Sequence, residues 1–244
     1  MKGVALVTGA SRGIGRAIAL RLAQDGYALA VHCVHSADKA EAVCEQIRQN
    51  GGEAHAFLCD VSDHHAVAEM VHSIQQRIGP ITALVNNAGI AQQKLFTDIT
   101  PEEWHRMMAI HVDGSYNTCH AVLPDMIRNH QGAIVNVSSM WGQTGGSCEV
   151  HYSTAKAAVI GFTKALAKEV GPSGIRVNCV APGVIKTDML ADFDEETLSA
   201  LAEEAPLCRL GNPDDVAAAV SFLLSEQAGF ITGQVMAPNG GIVI

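Results

Sequence analysis

Short apolar stretches rich in β-branched residues recur along the chain, and segments with the apolar spacing of amphipathic helices separate them. This alternation is typical of βαβ units, in which parallel strands form a sheet that helices cover on both faces. Right-handed crossovers then favour an α/β fold with a doubly wound, Rossmann-type parallel sheet of about seven strands. The predicted strands are Val4–Thr8, Ala28–Val34, His55–Cys59, Ala83–Asn86, Ala133–Val137, Arg176–Val180 and Gln234–Ala237.

Helix-start signals agree with this pattern. Thr100-Pro101-Glu102-Glu103 has the sequence of a capping box with proline in the first turn, and Asn212-Pro213 similarly precedes the apolar stretch Val216–Leu224. No linker, repeat or low-complexity tract interrupts the series, so we expect a single domain over residues 1–244. The acidic segment Met189–Pro206 lacks strand signals and predicts a helical excursion outside the sheet, which is a candidate lid on the substrate side.

Composition and charge narrow the class of protein. Of the 244 residues, 48% are hydrophobic and 17% are charged, which supplies ample apolar material for a buried core. The formal net charge of −9 and the absence of a basic run argue against nucleic-acid binding. No run approaches the ~18 apolar residues of a membrane span, and the N-terminal apolar run is too short for a signal peptide. Seven cysteines without a CxxC pair indicate reduced thiols in a cytoplasmic protein, and we predict no metal site.

A glycine-rich stretch, Thr8-Gly9-Ala10-Ser11-Arg12-Gly13-Ile14-Gly15, follows the first predicted strand and opens the first predicted helix. Glycines at such a junction permit a tight turn and a close approach of backbone to pyrophosphate, while the helix N-terminus offers unpaired N–H groups. A close helix–strand crossing would need the same glycines. The place of the glycine-rich stretch between a strand and a helix of a βαβ unit favours the phosphate-binding interpretation.

The end of the second predicted strand bears on the choice between NAD and NADP. An acidic residue there would take the ribose hydroxyls of NAD, and this sequence has none before Asp38. Arg12, with His35, Ser36 or Lys39, offers charge-assisted hydrogen bonds to a 2′-phosphate, so we predict NADP(H). The alternative for this stretch is that its histidines, including His32, are ordinary strand residues.

Two further strand ends carry candidate cofactor contacts. Asp60-Val61 follows the third predicted strand, and Asn87-Ala88-Gly89 follows the fourth. We expect Asp60 to contact adenine and the small Ala88-Gly89 step to let the cofactor pass close to the backbone. Each stretch also fits ordinary turn chemistry.

Tyr152 and Lys156 are candidate catalytic residues because their spacing of four places them on one face of the helix that runs to about Val170. An ammonium beside a phenol favours the ionised phenol, so we expect Lys156 to lower the pKa of Tyr152. Ser139 follows the fifth predicted strand, where its hydroxyl could hold a substrate carbonyl while Tyr152 donates a proton. From spacing alone, Tyr152 and Lys156 could equally be a surface pair.

These motifs occur together and in order over nearly the whole chain, from Val4 to Gly241, and the combination resembles the short-chain dehydrogenase/reductase family. The motifs that carry the resemblance are Thr-Gly-Ala-Ser-Arg-Gly-Ile-Gly at 8–15, Asn-Asn-Ala-Gly at 86–89, Ser139 thirteen residues before Tyr152, Tyr152-x-x-x-Lys156, and Pro182-Gly183.

The resemblance implies an NAD(P)-dependent oxidoreductase with Ser139, Tyr152 and Lys156 as its catalytic set. It also implies that Lys156 contacts the nicotinamide ribose and that Ile185 and Thr187 lie near the carboxamide. Together with the strand-end residues, the predicted cofactor site comprises Gly9, Ser11, Arg12, Gly13, Ile14, Gly15, His35, Ser36, Asp60, Val61, Asn87, Ala88, Gly89, Tyr152, Lys156, Pro182, Gly183, Ile185 and Thr187.

One position departs from the family pattern. The family usually has an asparagine, which helps to hold a water in the proton relay, where this sequence has His111. Because histidine can hydrogen-bond and carry a proton, we predict a modified relay with retained activity.

Within the family, the chain most resembles the bacterial 3-oxoacyl-acyl-carrier-protein reductases of fatty acid biosynthesis. That resemblance implies NADPH, a homotetramer and a substrate delivered on an acidic carrier protein. Arg128 is suitably placed for docking such a carrier, but Ser173 stands where these enzymes often have a second arginine, so docking stays open. The apolar tail Asn239–Ile244 is suited to burial against a partner subunit.

A local resemblance favours a different substrate. The segment from Ser138 to Tyr152 is similar to that of the reductases that convert 5-aminopentanone-modified elongation factor P to its alcohol. Glu149, three residues before Tyr152, would suit a cationic amine, unless it points to solvent or braces a neighbouring subunit. The remaining alternatives are an oxidative alcohol dehydrogenase and a non-catalytic nucleotide-binding protein, and His111 is the one feature that supports the latter.

Overall fold

In the computed structural model, which describes residues 2–190 and 193–244, seven strands form one parallel sheet in the order β3-β2-β1-β4-β5-β6-β7. The doubly wound sheet predicted from the apolar pattern is therefore confirmed. The strands are β1 Val4–Val7, β2 Ala28–Cys33, β3 Ala54–Leu58, β4 Ile81–Asn86, β5 Gly132–Val137, β6 Ile175–Val180 and β7 Val235–Met236.

Nine α-helices lie within these described ranges. They are α1 Gly13–Gln24, α2 Ala37–Gln49, α3 His64–Arg77, α4 Pro101–Met108, α5 Gly114–Asn129, α6 Trp141–Thr144, α7 Val150–Val170, α8 Glu195–Glu203 and α9 Pro213–Leu224. A π-helical turn, Ala109–Asp113, joins α4 to α5.

Each face of the sheet carries its own apolar core. Alternate residues of β1 divide between the two cores, with Ala5 and Val7 on one side and Val4 and Leu6 on the other. Helices α1, α2 and α9 cover the first face, and α3, α5 and α7 cover the second. Burial of one large aliphatic side chain contributes roughly 1.5–3 kcal/mol, so a strand buried on both faces is strongly held in place.

Local signals set the helix starts. Thr100 Oγ1 accepts from the Glu103 N–H at 3.3 Å while Glu103 Oε2 accepts from the Thr100 N–H at 2.9 Å, which forms the predicted capping box. The predicted strand ends agree with the structure to within one or two residues for all seven strands. In the predicted excursion, Met189–Pro206, α8 occupies the middle, and residues 191–192 lie outside the described part.

The order of the strands places the site. The chain runs outward from β1 to β3 on one side and then returns to β4 on the other side of β1, so β1 and β4 flank the point where the direction reverses. Loops that leave the carboxyl ends of these two strands diverge and create a crevice in which such folds bind ligands. Within residues 2–190 and 193–244, no helix combines the length and the apolar character that a membrane crossing needs.

Candidate active site

The glycine loop after β1 leaves no room for a side chain at Gly9 or at Gly15. Gly9 has a φ of +63°, and a Cβ atom built on it would lie 2.9 Å from Ala88 Cα. A Cβ on Gly15 would lie 2.3 Å from the carbonyl oxygen of Gly9. The loop is thus folded tightly against the start of α1 and against the Asn87-Ala88 step, and it forms a cradle of bare backbone.

The first turn of α1 completes this cradle. Gly13 begins the helix with a φ of +54°, and Arg12 precedes it in extended conformation without capping the helix through its side chain. Unpaired N–H groups at such an N-terminus favour an anion. A Cβ on Gly13 would lie 3.5 Å from the Thr187 methyl group, so the loop after β6 borders the cradle. These features fit the pyrophosphate of a dinucleotide.

Asn87 joins the two strands that flank the crevice. Its Nδ2 donates to the carbonyl oxygens of Thr8 and Gly9 at 2.9 and 3.1 Å. Thr8 Oγ1 accepts in turn from the backbone N–H groups of Asn87 and Ala88 at 2.9 and 3.0 Å. The predicted cofactor residues after β1 and β4 are therefore bonded to one another.

The predicted adenosine end lies beyond β2 and β3. Asp60 Oδ1 accepts from the Ser62 N–H at 2.9 Å and from Ser62 Oγ at 2.7 Å, and these bonds hold the pKa of the carboxyl below its usual range. The end of β2 contributes exposed His35 and half-buried Ser36 and carries no carboxylate. The remaining predicted cofactor residues are Ser11 and Ile14 in the glycine loop and first turn of α1, Val61 after β3, and Pro182, Gly183 and Ile185 after β6.

Ser139, Tyr152 and Lys156 come together where β5 ends against the first turns of α7. Lys156 Nζ lies 5.5 Å from the centre of the Tyr152 ring. Ser139 Oγ accepts from the Trp141 N–H at 3.2 Å, and the Ser139 side chain lies near enough to the Tyr152 phenol to lower its pKa. The alternative of an exposed surface pair is therefore wrong, because Lys156 is only 4% exposed.

Burial controls the acidity of Tyr152. It raises the pKa of the phenol to about 12, although the nearby Ser139 side chain lowers it, and the Glu149 carboxylate raises it further. The expected net lowering of this pKa is wrong for the structure described, because loss of solvent outweighs the effects that favour the phenolate. The phenol is consequently protonated at neutral pH and is able to donate.

The ammonium group of Lys156 lies inside the protein. Lys156 Nζ donates to the Val137 carbonyl oxygen at 2.9 Å. The backbone carbonyl oxygen of Lys156 accepts from Ser138 Oγ at 2.8 Å. Burial lowers the pKa of Lys156 to about 8. Ser138, which the sequence did not single out, thus anchors the turn of α7 that carries the lysine.

His111 lies in the π-helical turn and is 3% exposed. Its Nε2 is 2.8 Å from the Ile90 carbonyl oxygen and 3.2 Å from the Ile90 nitrogen. Since one ring nitrogen serves only one role, the shorter contact indicates donation to the carbonyl. The ring meets the Tyr152 ring edge-on with centroids 5.6 Å apart.

The environment of His111 argues against a proton-carrying role. Burial lowers the pKa of its imidazole to about 3, and the positive charge of Lys156 adds to the effect. The ring is therefore neutral near pH 7 and holds the Ile90 peptide beside the Asn87-Ala88-Gly89 step. Gly89 is required next to it, because a Cβ there would lie 2.3 Å from His111 Cε1.

The loop after Gly89 is hydrogen-bonded to the segment before Tyr152. Lys94 N–H donates to the Cys148 carbonyl oxygen at 2.7 Å, and Gln93 Nε2 donates to Glu149 Oε1 at 3.2 Å. The bond from Gln93 holds the half-buried Glu149 carboxylate, and burial raises the pKa of this group. Gln93 was not foreseen because nothing in its local sequence marks it as a partner of a residue so distant along the chain.

The predicted excursion borders a cavity. About 250 Å³ of space lies between α8, the loop before α9 and the C-terminal tail, and its wall includes Ile185, Leu201, Leu207 and Ile242. It meets the cofactor side of the site at Ile185. In the described part of the chain, no group of three or more His, Cys, Asp or Glu residues is arranged to hold a metal ion.

The contact between Gly89 and His111 generates a test. Gly89→Ala should lower the free energy of unfolding by roughly 1–3 kcal/mol, because its methyl group collides with the imidazole. The substitution His111→Ala in the same chain should recover most of that loss, and denaturant unfolding of both single variants and the double variant measures the coupling. Gly161→Ala is the control, since a Cβ there meets nothing within 4 Å and should leave stability equal or slightly higher. Additive losses in the double variant would contradict the contact.

Comparison with known proteins places this geometry in a family. A family model described as enoyl-(acyl carrier protein) reductase matches residues 9–243. The chain is 42% identical over 238 residues to the 3-oxoacyl-[acyl-carrier-protein] reductase FabG of Staphylococcus epidermidis, covering 98% of each protein. It is 44% identical over 242 residues to the uncharacterized oxidoreductase YmfI of Bacillus subtilis, covering 99% of each.

Comparison with a solved structure leads to the same family as the sequence comparisons. The crystal structure of a 3-oxoacyl-[acyl-carrier protein] reductase from Brucella melitensis superposes with a TM-score of 0.94 at 35% identity, covering 100% of this chain and 91% of that one. The predicted resemblance is therefore confirmed: the chain belongs to the short-chain dehydrogenase/reductase family and is an NAD(P)-dependent oxidoreductase.

Proposed function

We propose that this protein reduces a ketone to a secondary alcohol with NADPH, as a reductase of the 3-oxoacyl-acyl-carrier-protein type. The observation that carries the proposal is the cluster of Ser139, Tyr152 and Lys156 at the sheet edge that also holds the tightly folded glycine loop. The names of its relatives in Staphylococcus and Brucella support the substrate class.

The preference for NADPH follows from the acid-free end of β2. A carboxylate there would repel a 2′-phosphate, and none is present between Ala28 and Ala37. Arg12 stands next to the cradle with its side chain exposed, and it is the cation best placed to pair with that phosphate, with His35 and Ser36 as further donors.

In the proposed reaction, Tyr152 donates the proton and Ser139 holds the carbonyl oxygen. NADPH, when bound, supplies the hydride to the carbonyl carbon. The proton passes from Tyr152 Oη to the carbonyl oxygen, so the ketone gains one hydride and one proton. Ser139, whose side chain lies beside the Tyr152 phenol, directs the carbonyl oxygen toward that phenol. The charge of Lys156 then stabilises the phenolate left after transfer.

His111 is proposed as a positioning residue rather than as a proton carrier. Its neutral ring bonds the Ile90 peptide and contacts the Tyr152 ring, so it fixes the loop after β4 against the phenol. This assignment replaces the modified relay with a structural contact that leaves proton transfer to Tyr152.

Three further features belong to the proposal. The chain works as one reductase domain, with the segment around α8 acting as a lid on the substrate side. It assembles as a homotetramer in the cytoplasm, as the resemblance to its relatives implies, and exposed Ile127 on α5 offers apolar surface for such contacts. Arg128, the predicted docking residue, is exposed but pairs with Asp125 of the same helix, which weakens its attraction for an acidic carrier protein.

Turnover with a carrier-protein-bound acetoacetyl thioester and NADPH tests the proposal. Tyr152→Phe should reduce kcat by about 10²-fold or more while NADPH affinity changes little, because the variant loses only the donated proton. Tyr116→Phe is the matched control, since Tyr116 is 49% exposed on α5 and lies outside the site. Equal activity of wild type and Tyr152→Phe, or no reduction of any ketone, would overturn the proposal.

The pKa values predict the pH dependence of reduction. The rate should fall as pH rises through about 8, because Lys156 loses its proton there, whereas Tyr152, with a pKa near 12, stays protonated. Measurement of kcat at saturating substrate and NADPH from pH 6 to 10 would reveal this fall in rate, which is the alkaline limb of the pH profile. His111→Asn should leave the position of the limb unchanged. A flat profile to pH 9.5 would contradict the role of Lys156, and a shifted limb in His111→Asn would restore a titrating role for the histidine.

Glu149 favours a second candidate substrate, a ketone that bears a cationic amine such as the 5-aminopentanone modification of elongation factor P. A half-buried carboxylate with a raised pKa gains from pairing with an ammonium group and gains nothing from an acyl chain. Glu149→Gln should raise KM for the amino ketone roughly tenfold and leave KM for the acetoacetyl thioester within about twofold. Turnover of only one of the two substrates by the wild type decides between them, and an unchanged KM for the amino ketone in the variant excludes amine recognition by Glu149.

A further inference from the structure

His32 of β2 is buried beneath the glycine loop and is 2% exposed. The Gly9 N–H donates to its Nδ1 at 3.2 Å, and its Nε2 lies 3.0 Å from the Cys59 carbonyl oxygen. Because a carbonyl only accepts, Nε2 must carry the proton, and Nδ1 is left free to accept. Both nitrogens are thus satisfied in one neutral tautomer.

The Gly9 peptide is held on two sides. Asn87 Nδ2 binds its carbonyl oxygen at 3.1 Å, and the His32 ring binds its N–H. The next residue, Ala10, donates its N–H to the backbone carbonyl of His32 at 2.8 Å. Gly9 has no side chain to anchor it and adopts a left-handed conformation that an unfolded loop would leave readily, so these bonds fix its position.

The opposite edge of the imidazole reaches the predicted adenosine end of the site. Cys59 follows β3 directly, its N–H donates to the Cys33 carbonyl oxygen at 3.3 Å, and Asp60 comes next in the chain. One ring therefore connects the pyrophosphate cradle to the turn that carries Asp60.

We propose that neutral His32 is a positioning residue that aligns the glycine loop with the Asp60 turn for binding of the adenosine and pyrophosphate half of the dinucleotide. Protonation of Nδ1 would set two N–H donors against each other and leave a charge in the interior, and the loop would lose its anchor. The inference rests on the NAD(P)-dependent class of the protein and is independent of the identity of the ketone.

The groups that surround His32 leave its own titration as the relevant event. Burial lowers the pKa of His32, so the ring becomes charged only on acidification. On the β3 side, burial raises the pKa of the Cys59 thiol to about 11, and hydrogen bonds from Ser62 lower that of Asp60, so neither changes charge between pH 5.5 and 8. The glycine-loop residues Thr8, Gly9 and Ala10 that lie nearest carry no titratable side chain.

Calorimetric titration with NADP+ in the absence of ketone tests the proposal. His32→Leu should weaken binding roughly tenfold at pH 7.5, whereas His32→Asn, whose amide oxygen can replace Nδ1 as acceptor, should weaken it only about threefold. On acidification, wild-type affinity should fall more steeply than that of His32→Asn, which lacks the imidazole and shares every other titrating group with the wild type. The value of kcat at saturating cofactor should stay unchanged, because His32 does not touch the catalytic cluster.

His55→Asn on the adjacent strand β3 is the matched control, and it should bind NADP+ like the wild type. Wild-type affinity in a folded His32→Leu, or equal pH slopes in wild type and His32→Asn, would overturn the proposal. If His32→Leu does not fold, nitrogen NMR of the wild-type imidazole decides. A protonated Nε2 with an unprotonated Nδ1 that shifts on addition of NADP+ supports the proposal, and a proton on Nδ1 contradicts it. Because no ketone is present, these results are distinct from a failure of the proposed reductase activity.

Discussion

The site is organised around one buried cation. An ammonium group removed from water costs several kcal/mol unless its surroundings compensate, and Lys156 is compensated by a carbonyl oxygen of β5 and by a fixed turn of α7. This arrangement restricts its neighbours. Burial keeps the imidazole of His111 neutral, and the charge of Lys156 disfavours a second cation there as well. The phenol beside the lysine remains protonated because burial disfavours its charge too.

The cation depends in turn on the sheet. Val137, which supplies the carbonyl, is the last residue of β5. Helix α7 is bonded to the same strand, because Asn136 Nδ2 of β5 donates to Thr163 Oγ1 of the helix at 2.9 Å. The same sheet edge holds the glycine loop through the bonds between Asn87 and Thr8. The glycine loop and the phenol of Tyr152 therefore share one rigid frame, and their separation is set by strand order rather than by flexible loops.

Much of this frame could be predicted from the sequence, because buried parallel strands are continuous apolar runs and their carboxyl ends must lie at one edge. The spacing of Tyr152 and Lys156 also predicted that they share one face of a helix, and the position of the glycine loop after the first strand predicted a phosphate site. The acidity of Tyr152 could not be predicted, since spacing shows which groups are near but not how much solvent they lose. His32 and Gln93 were missed for a related reason: their partners, Gly9 and Glu149, are distant in sequence, and only the tertiary structure brings them together.

The π-helical turn Ala109–Asp113 has a consequence for how this active site can change. A π turn contains one residue more than an α-helical turn would need, and that extra residue sets the angular phase between α4 and α5. Loss or gain of a single residue there would rotate everything after it by about a quarter turn or more. The position beside Tyr152 is therefore defined by the backbone length of this turn, so a sequence can exchange one side chain there for another, as His111 illustrates, far more readily than it can accept a one-residue deletion.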